Sequence, residues 1–110
     1  MTTQDLVDKL GLKALSPFDC RKVEGVFISD MVSDVMAGTK SGHLWITMQT
    51  HKSIVPAANL VDISAIVITG GKQIPEETIN LASRYRVLIF STELTTFELV
   101  GTLYKWGLKA

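Results

Sequence analysis

The sequence is short of most features that announce a chemistry. Of its 110 residues one is cysteine, Cys20, and two are histidine, His43 and His51. A lone thiol forms no internal disulfide and supplies only one of the four thiolates of an ordinary iron–sulfur cluster. Cys20, Asp30 and the histidines also lack the short spacings that set two ligands on one helix or knuckle, so neither metal nor cofactor is expected. No sign of charge dominates, because eleven Lys and Arg balance eleven Asp and Glu. That balance removes the electrostatic footprint of a nucleic-acid or anionic-membrane binder. No stretch approaches the roughly 20 apolar residues of a membrane span, and the opening MTTQDLVDKL has no basic region followed by an apolar core. The expectation is a soluble, cytoplasmic chain. Repeats and low-complexity tracts are missing too, so residues 1–110 read as one domain.

What is present is a composition fit to fold, with 46% hydrophobic against 20% charged residues. Leu6, Val7 and Leu10 share a helical stripe over Thr2 to Leu10, with Thr2 and Asp5 at capping-box spacing and Gly11 placed to stop the helix. After Ser16-Pro17, Arg21 to Ile28 is β-rich but interrupted by Gly25, which predicts a bulge or a close backbone approach. Ser29 and Asp30 are placed to cap a short helix carrying Met31, Val32, Val35 and Met36, the methionines read as core filler. His43 to Met48 and Ser64 to Thr69 read as buried strands, with Trp45 in the core of the first. Ser53 caps a helix over Ile54 to Leu60, whose first turn tolerates Pro56. Pro75-Glu76-Glu77 opens a helix closed by Arg84 and Arg86, and Val87 to Phe90 is a further strand. Thr95 and Glu98 begin the last helix, expected to bury Phe97, Val100, Leu103 and Tyr104. Helices alternating with four strands predict an α/β fold: a three-layer-like domain with a mainly parallel sheet of about four to five strands.

Gly70-Gly71-Lys72 ends the clearest strand, and glycines at a strand's carboxyl end let a backbone approach a ligand. It is not a P-loop, since Ile66 and Gln73 stand where the earlier glycine and the Ser or Thr belong. Neither histidine has a recognisable nucleophile beside it, so no catalytic residue is assigned. Tyr104 and Trp106 are expected to protrude and form the contact of a homodimer.

Taken in order, Val26-Phe27-Ile28-Ser29-Asp30-Met31-Val32-Ser33, Leu44-Trp45-Ile46-Thr47, Asn59-Leu60, Ile66-Val67-Ile68-Thr69-Gly70-Gly71 and Pro75 resemble the DRTGG domain family, over Ser16 to Trp106. The resemblance implies an α/β module that accompanies nucleotide-sensing CBS domains in regulated pyrophosphatases and is similar in fold to the amino-terminal domain of HPr kinase/phosphorylase. It implies regulation or interaction, without catalysis. The family's Thr-Gly-Gly falls on Thr69, Gly70 and Gly71, whereas the arginine that would clamp a phosphate has His51 in its stead. A non-catalytic sensor of an adenine nucleotide or similar small anion would therefore bind at Thr69, Gly70 and Gly71, with Thr47, His51 and Asp30 nearby. The alternative is an accessory subunit without a small ligand, serving a larger metabolic enzyme such as an iron-only hydrogenase system.

Overall fold

The computed structural model describes residues 1–110. Local signals set most element ends. Helix α1 (Thr3–Leu10) starts where Thr2 and Asp5 cap each other, the Asp5 amide donating to Thr2 Oγ1 and the Thr2 amide to Asp5 Oδ2. It stops at Gly11 in the left-handed region. Strands β1 (Lys13–Ala14) and β2 (Gly25–Ile28) are followed by α2 (Val32–Gly38), β3 (His43–Thr47), α3 (Ile54–Val61), β4 (Ala65–Ile68), α4 (Glu76–Tyr85), β5 (Ile89–Ser91) and α5 (Thr96–Lys105). None of these helices is long and apolar enough to cross a membrane.

The five strands form one sheet in the order β1-β5-β4-β3-β2. Strands β2 to β5 are parallel, and β1 adds an antiparallel edge, Lys13 opposite Ser91. Every parallel step moves to the next strand in the same direction, so crossovers of one hand carry α2, α3 and α4 to one face. The core divides accordingly. Val35, Ile54, Val55, Ala58 and Ala82 of these helices pack with Trp45, Ile66 and Ile68. On the opposite face Leu6 of α1 and Leu99 and Leu103 of α5 pack with Leu44, Ile46, Val67 and Phe90. The result is the expected α/β sandwich of helices, sheet and helices.

Several local expectations are corrected. The strand expected from Arg21 begins only at Gly25, with Lys22 making an isolated bridge to Thr2. Gly25 is the close approach, since a Cβ there would lie 2.6 Å from His43 Nε2 and 2.9 Å from the Lys109 carbonyl. Helix α2 has no side-chain cap: Ser29 Oγ accepts from the Met31 amide just before it, and Asp30 turns elsewhere. Met31 and Met36 are exposed, not core filler, and the same holds for Phe97 and Tyr104, because α5 buries Leu99 and Leu103 instead.

Candidate functional site

Because β2 to β5 are parallel, the loops after them emerge at one end of the sheet. That end carries Asp30 after β2, Thr47 at the end of β3, His51 before α3, and Thr69-Gly70-Gly71 after β4. Asp30 and Thr47 meet: Asp30 Oδ1 accepts from Thr47 Oγ1 and from the Met48 amide, both at 2.8 Å. The carboxylate thus ties the β2 loop to the end of β3. Asp30→Ala is expected to cost about 1–2 kcal/mol of stability and Asp30→Asn less, since the amide keeps one acceptor oxygen; urea unfolding of the two variants reads the difference.

Connections part at the carboxyl ends of β4 and β5, where the β4 loop leads to α4 on one face and the β5 loop to α5 on the other. Open α/β sheets form their ligand crevices at such a divergence. Here the two loops are stitched together. The Gly70 amide donates to the Leu94 carbonyl at 2.8 Å, the Gly71 amide to the Thr92 carbonyl at 2.9 Å, and the Thr92 amide to the Ile68 carbonyl at 3.1 Å. Thr69 is fully buried and shares a 2.7 Å hydroxyl–hydroxyl bond with Thr96. Gly70 (φ 84°) and Gly71 (φ 64°) occupy left-handed conformations that this stitching demands and that suit glycine. A groove of about 480 Å³ remains beyond Gly71, lined by Gly11, Lys13, Lys72, Thr92 and Glu93 among others. Neither lysine is in an ion pair, and the Glu93 carboxylate lies over Gly71.

The family model of the DRTGG domain matches residues 5–105. The chain belongs to the DRTGG domain family. No curated protein matches it. Among solved structures, the CBS and DRTGG domains of the regulatory region of Clostridium perfringens pyrophosphatase, complexed with the activator diadenosine tetraphosphate, share its fold with a TM-score of 0.68. The sequences are 16% identical, and the match covers 91% of this chain but only 44% of the pyrophosphatase chain.

In this DRTGG domain the remaining candidates lie apart from the glycine turn. His51 is exposed, its Nδ1 accepting from the Ser53 amide and 3.0 Å from Ser53 Oγ. It borders a second, open groove of about 720 Å³ between α3 and α4 with Lys52, Glu77, Asn80 and Arg84. There Lys52 Nζ donates to Glu77 Oε1 at 2.8 Å and holds that carboxyl below its ordinary range. The expected interface pair splits: Tyr104 lies on the exposed flank of α5, whereas Trp106 stacks under Lys9 of α1. No three His, Cys, Asp or Glu side chains converge as metal ligands, and Cys20 is a free, exposed thiol. Sequence reasoning overlooked Lys13, Thr92 and Glu93, which belong to an edge strand and a loop without any pattern of their own.

Proposed function

We propose that this DRTGG domain is a single, non-catalytic regulatory module that takes an adenine nucleotide or similar small anion in the groove beside the Thr69-Gly70-Gly71 turn. The observation that carries this reading is the pair of unpaired lysines, Lys13 and Lys72, at the point where the β4 and β5 connections part. Because the amides of Gly70 and Gly71 are already donated, the turn acts as scaffold and the ammonium groups supply the attraction. Asp30 and Thr47 brace the same end of the sheet, and His51 stands farther out beside α3. Glu93 has to swing off Gly71 as an anion enters, which links occupancy to the β5–α5 loop. The nucleotide bound by the pyrophosphatase regulatory region, and the family's regulatory setting, favour an adenine nucleotide as the anion.

Thermal unfolding against a panel of mono-, di- and trinucleotides and dinucleoside polyphosphates tests the reading. A ligand at 100 times its dissociation constant adds about 2.7 kcal/mol, several degrees in a domain of this size. Lys72→Ala and Lys13→Ala are each expected to weaken the response about tenfold, while Lys52→Ala in the other groove leaves it unchanged. A flat panel overturns the sensor reading. The satisfied amides of the glycine turn favour, as a second reading, an accessory subunit of a larger enzyme with no small ligand, for which the flat panel is the expected result.

A further inference from the structure

The groove beside the glycine turn has its charges and hydroxyls laid out across the sheet in a fixed order. Lys13 of β1 stands opposite Ser91 of β5, and Ser91 in turn lies beside Ile68 at the end of β4. The chain leaves β4 through the glycine turn, and the stem of Lys72 passes over Gly70 to line the same groove. From β1 to β4 is two strand spacings, roughly 10 Å. One ammonium group therefore comes from each flank, and the hydroxyls of Ser91 and Thr92 fall between them. Thr92 Oγ1 accepts from the Leu94 amide at 3.2 Å, which leaves its proton to donate, and Ser91 is a second donor.

Glu93 shows what kind of group fits there. Its carboxylate lies over Gly71, exposed and in no ion pair with either lysine. An anion of this chain thus already covers the open face of the glycine, and a phosphate entering at that point exchanges one anion for another. Leucine and glycine make up the rest of the lining. A nucleobase is recognised by rings that stack on its face and by side-chain donors and acceptors along its edge. Ammonium groups and hydroxyls match phosphate oxygens instead. Resting on the reading of this groove as the anion site, we infer that it grips an extended polyphosphate chain between Lys13 and Lys72. Ser91 and Thr92 donate to the middle of the chain, and a nucleoside attached at its end stays in solvent. A single phosphate engages one lysine well and the other poorly, whereas a diphosphate or triphosphate engages both.

Calorimetric titration at constant ionic strength with orthophosphate, inorganic tripolyphosphate, ATP, GTP and adenosine tests this inference. Tripolyphosphate, ATP and GTP are expected to bind with dissociation constants within about threefold of one another, orthophosphate about tenfold or more weaker, and adenosine not at all. Lys13→Ala and Lys72→Ala are each expected to weaken tripolyphosphate and ATP by the same factor, about tenfold, and Ser91→Ala by about threefold. Glu93→Gln is expected to tighten all three polyphosphates by a similar factor, because the same carboxylate gives way to each. ATP more than about tenfold tighter than tripolyphosphate, a like preference between ATP and GTP, or orthophosphate as tight as tripolyphosphate overturns the polyphosphate assignment. If ATP binding of that kind is lost in Lys72→Ala, the groove still stands as the anion site. Lysine variants that leave binding unchanged, or an absence of binding in wild type and Glu93→Gln alike, overturn the groove reading and this inference with it.

Discussion

Replacing Trp45 with alanine is expected to lower the unfolding free energy by about 3–5 kcal/mol, the range for deleting a large buried aromatic. Trp45 sits in the middle of the parallel run, fully buried, on the face covered by α2, α3 and α4. Its indole N–H donates to the Ser29 carbonyl at 2.8 Å, so it also secures the end of β2. Alanine removes the ring from water-excluded contact, leaves a cavity between sheet and helices, and strands that carbonyl. Total stabilities of domains are about 5–15 kcal/mol, so this variant stands near the edge of folding. Trp45→Phe separates the two terms, since it refills most of the cavity without restoring the N–H. Urea midpoints of both variants give the comparison, and a loss below about 1 kcal/mol for alanine contradicts the packing described.

Gly25→Val is expected to cost about 3 kcal/mol, for the opposite reason: overpacking. Its Cβ would fall on the His43 ring and on the Lys109 carbonyl oxygen. The ring is hemmed in, with Nδ1 buried and lacking a hydrogen-bond partner. The carbonyl accepts the Val26 amide at 2.9 Å and cannot withdraw without breaking that bond. Removing residues 109–110 in the valine background relieves one of the two clashes, so the truncation is expected to harm the variant less than it harms wild type. Denaturation of the four chains in this cycle measures the coupling, and simple additivity contradicts a steric origin.

The fold was legible in the sequence where local chemistry and tertiary packing agree. The capping boxes at Thr2 and Thr95, the glycine stop at Gly11 and the β4 run Ala65 to Ile68 are each set by a few neighbouring residues. Strand β1 was not, because two residues, Lys13 and Ala14, carry no periodicity and owe their extended pairing to β5. Helix α5 shows a subtler limit. Apolar residues occupy both of its sides, so periodicity identifies a helix but leaves undecided which stripe turns inward. Asp30 lies just past a strand end, as expected, but its carboxylate accepts from Thr47 at the end of β3, 17 residues away, and not from the amides of α2. The glycine turn was recognised as a turn, but its amides are satisfied by Leu94 and Thr92, and no local pattern reports that pairing.

The order of strands has a consequence for how this protein behaves when it fails. Its most adhesive segment, Ala65-Ile66-Val67-Ile68, is the central strand, bonded on both sides by β3 and β5. The edges are poor templates: β1 is two residues long and begins with a lysine, and the outward Val26 amide of β2 is occupied by the Lys109 carbonyl. With both edges in place, the native sheet therefore offers little that templates cross-β assembly. Insoluble aggregate on heating should appear with global unfolding and not before it, which makes the lag between the two a measure of how well the sheet guards its centre.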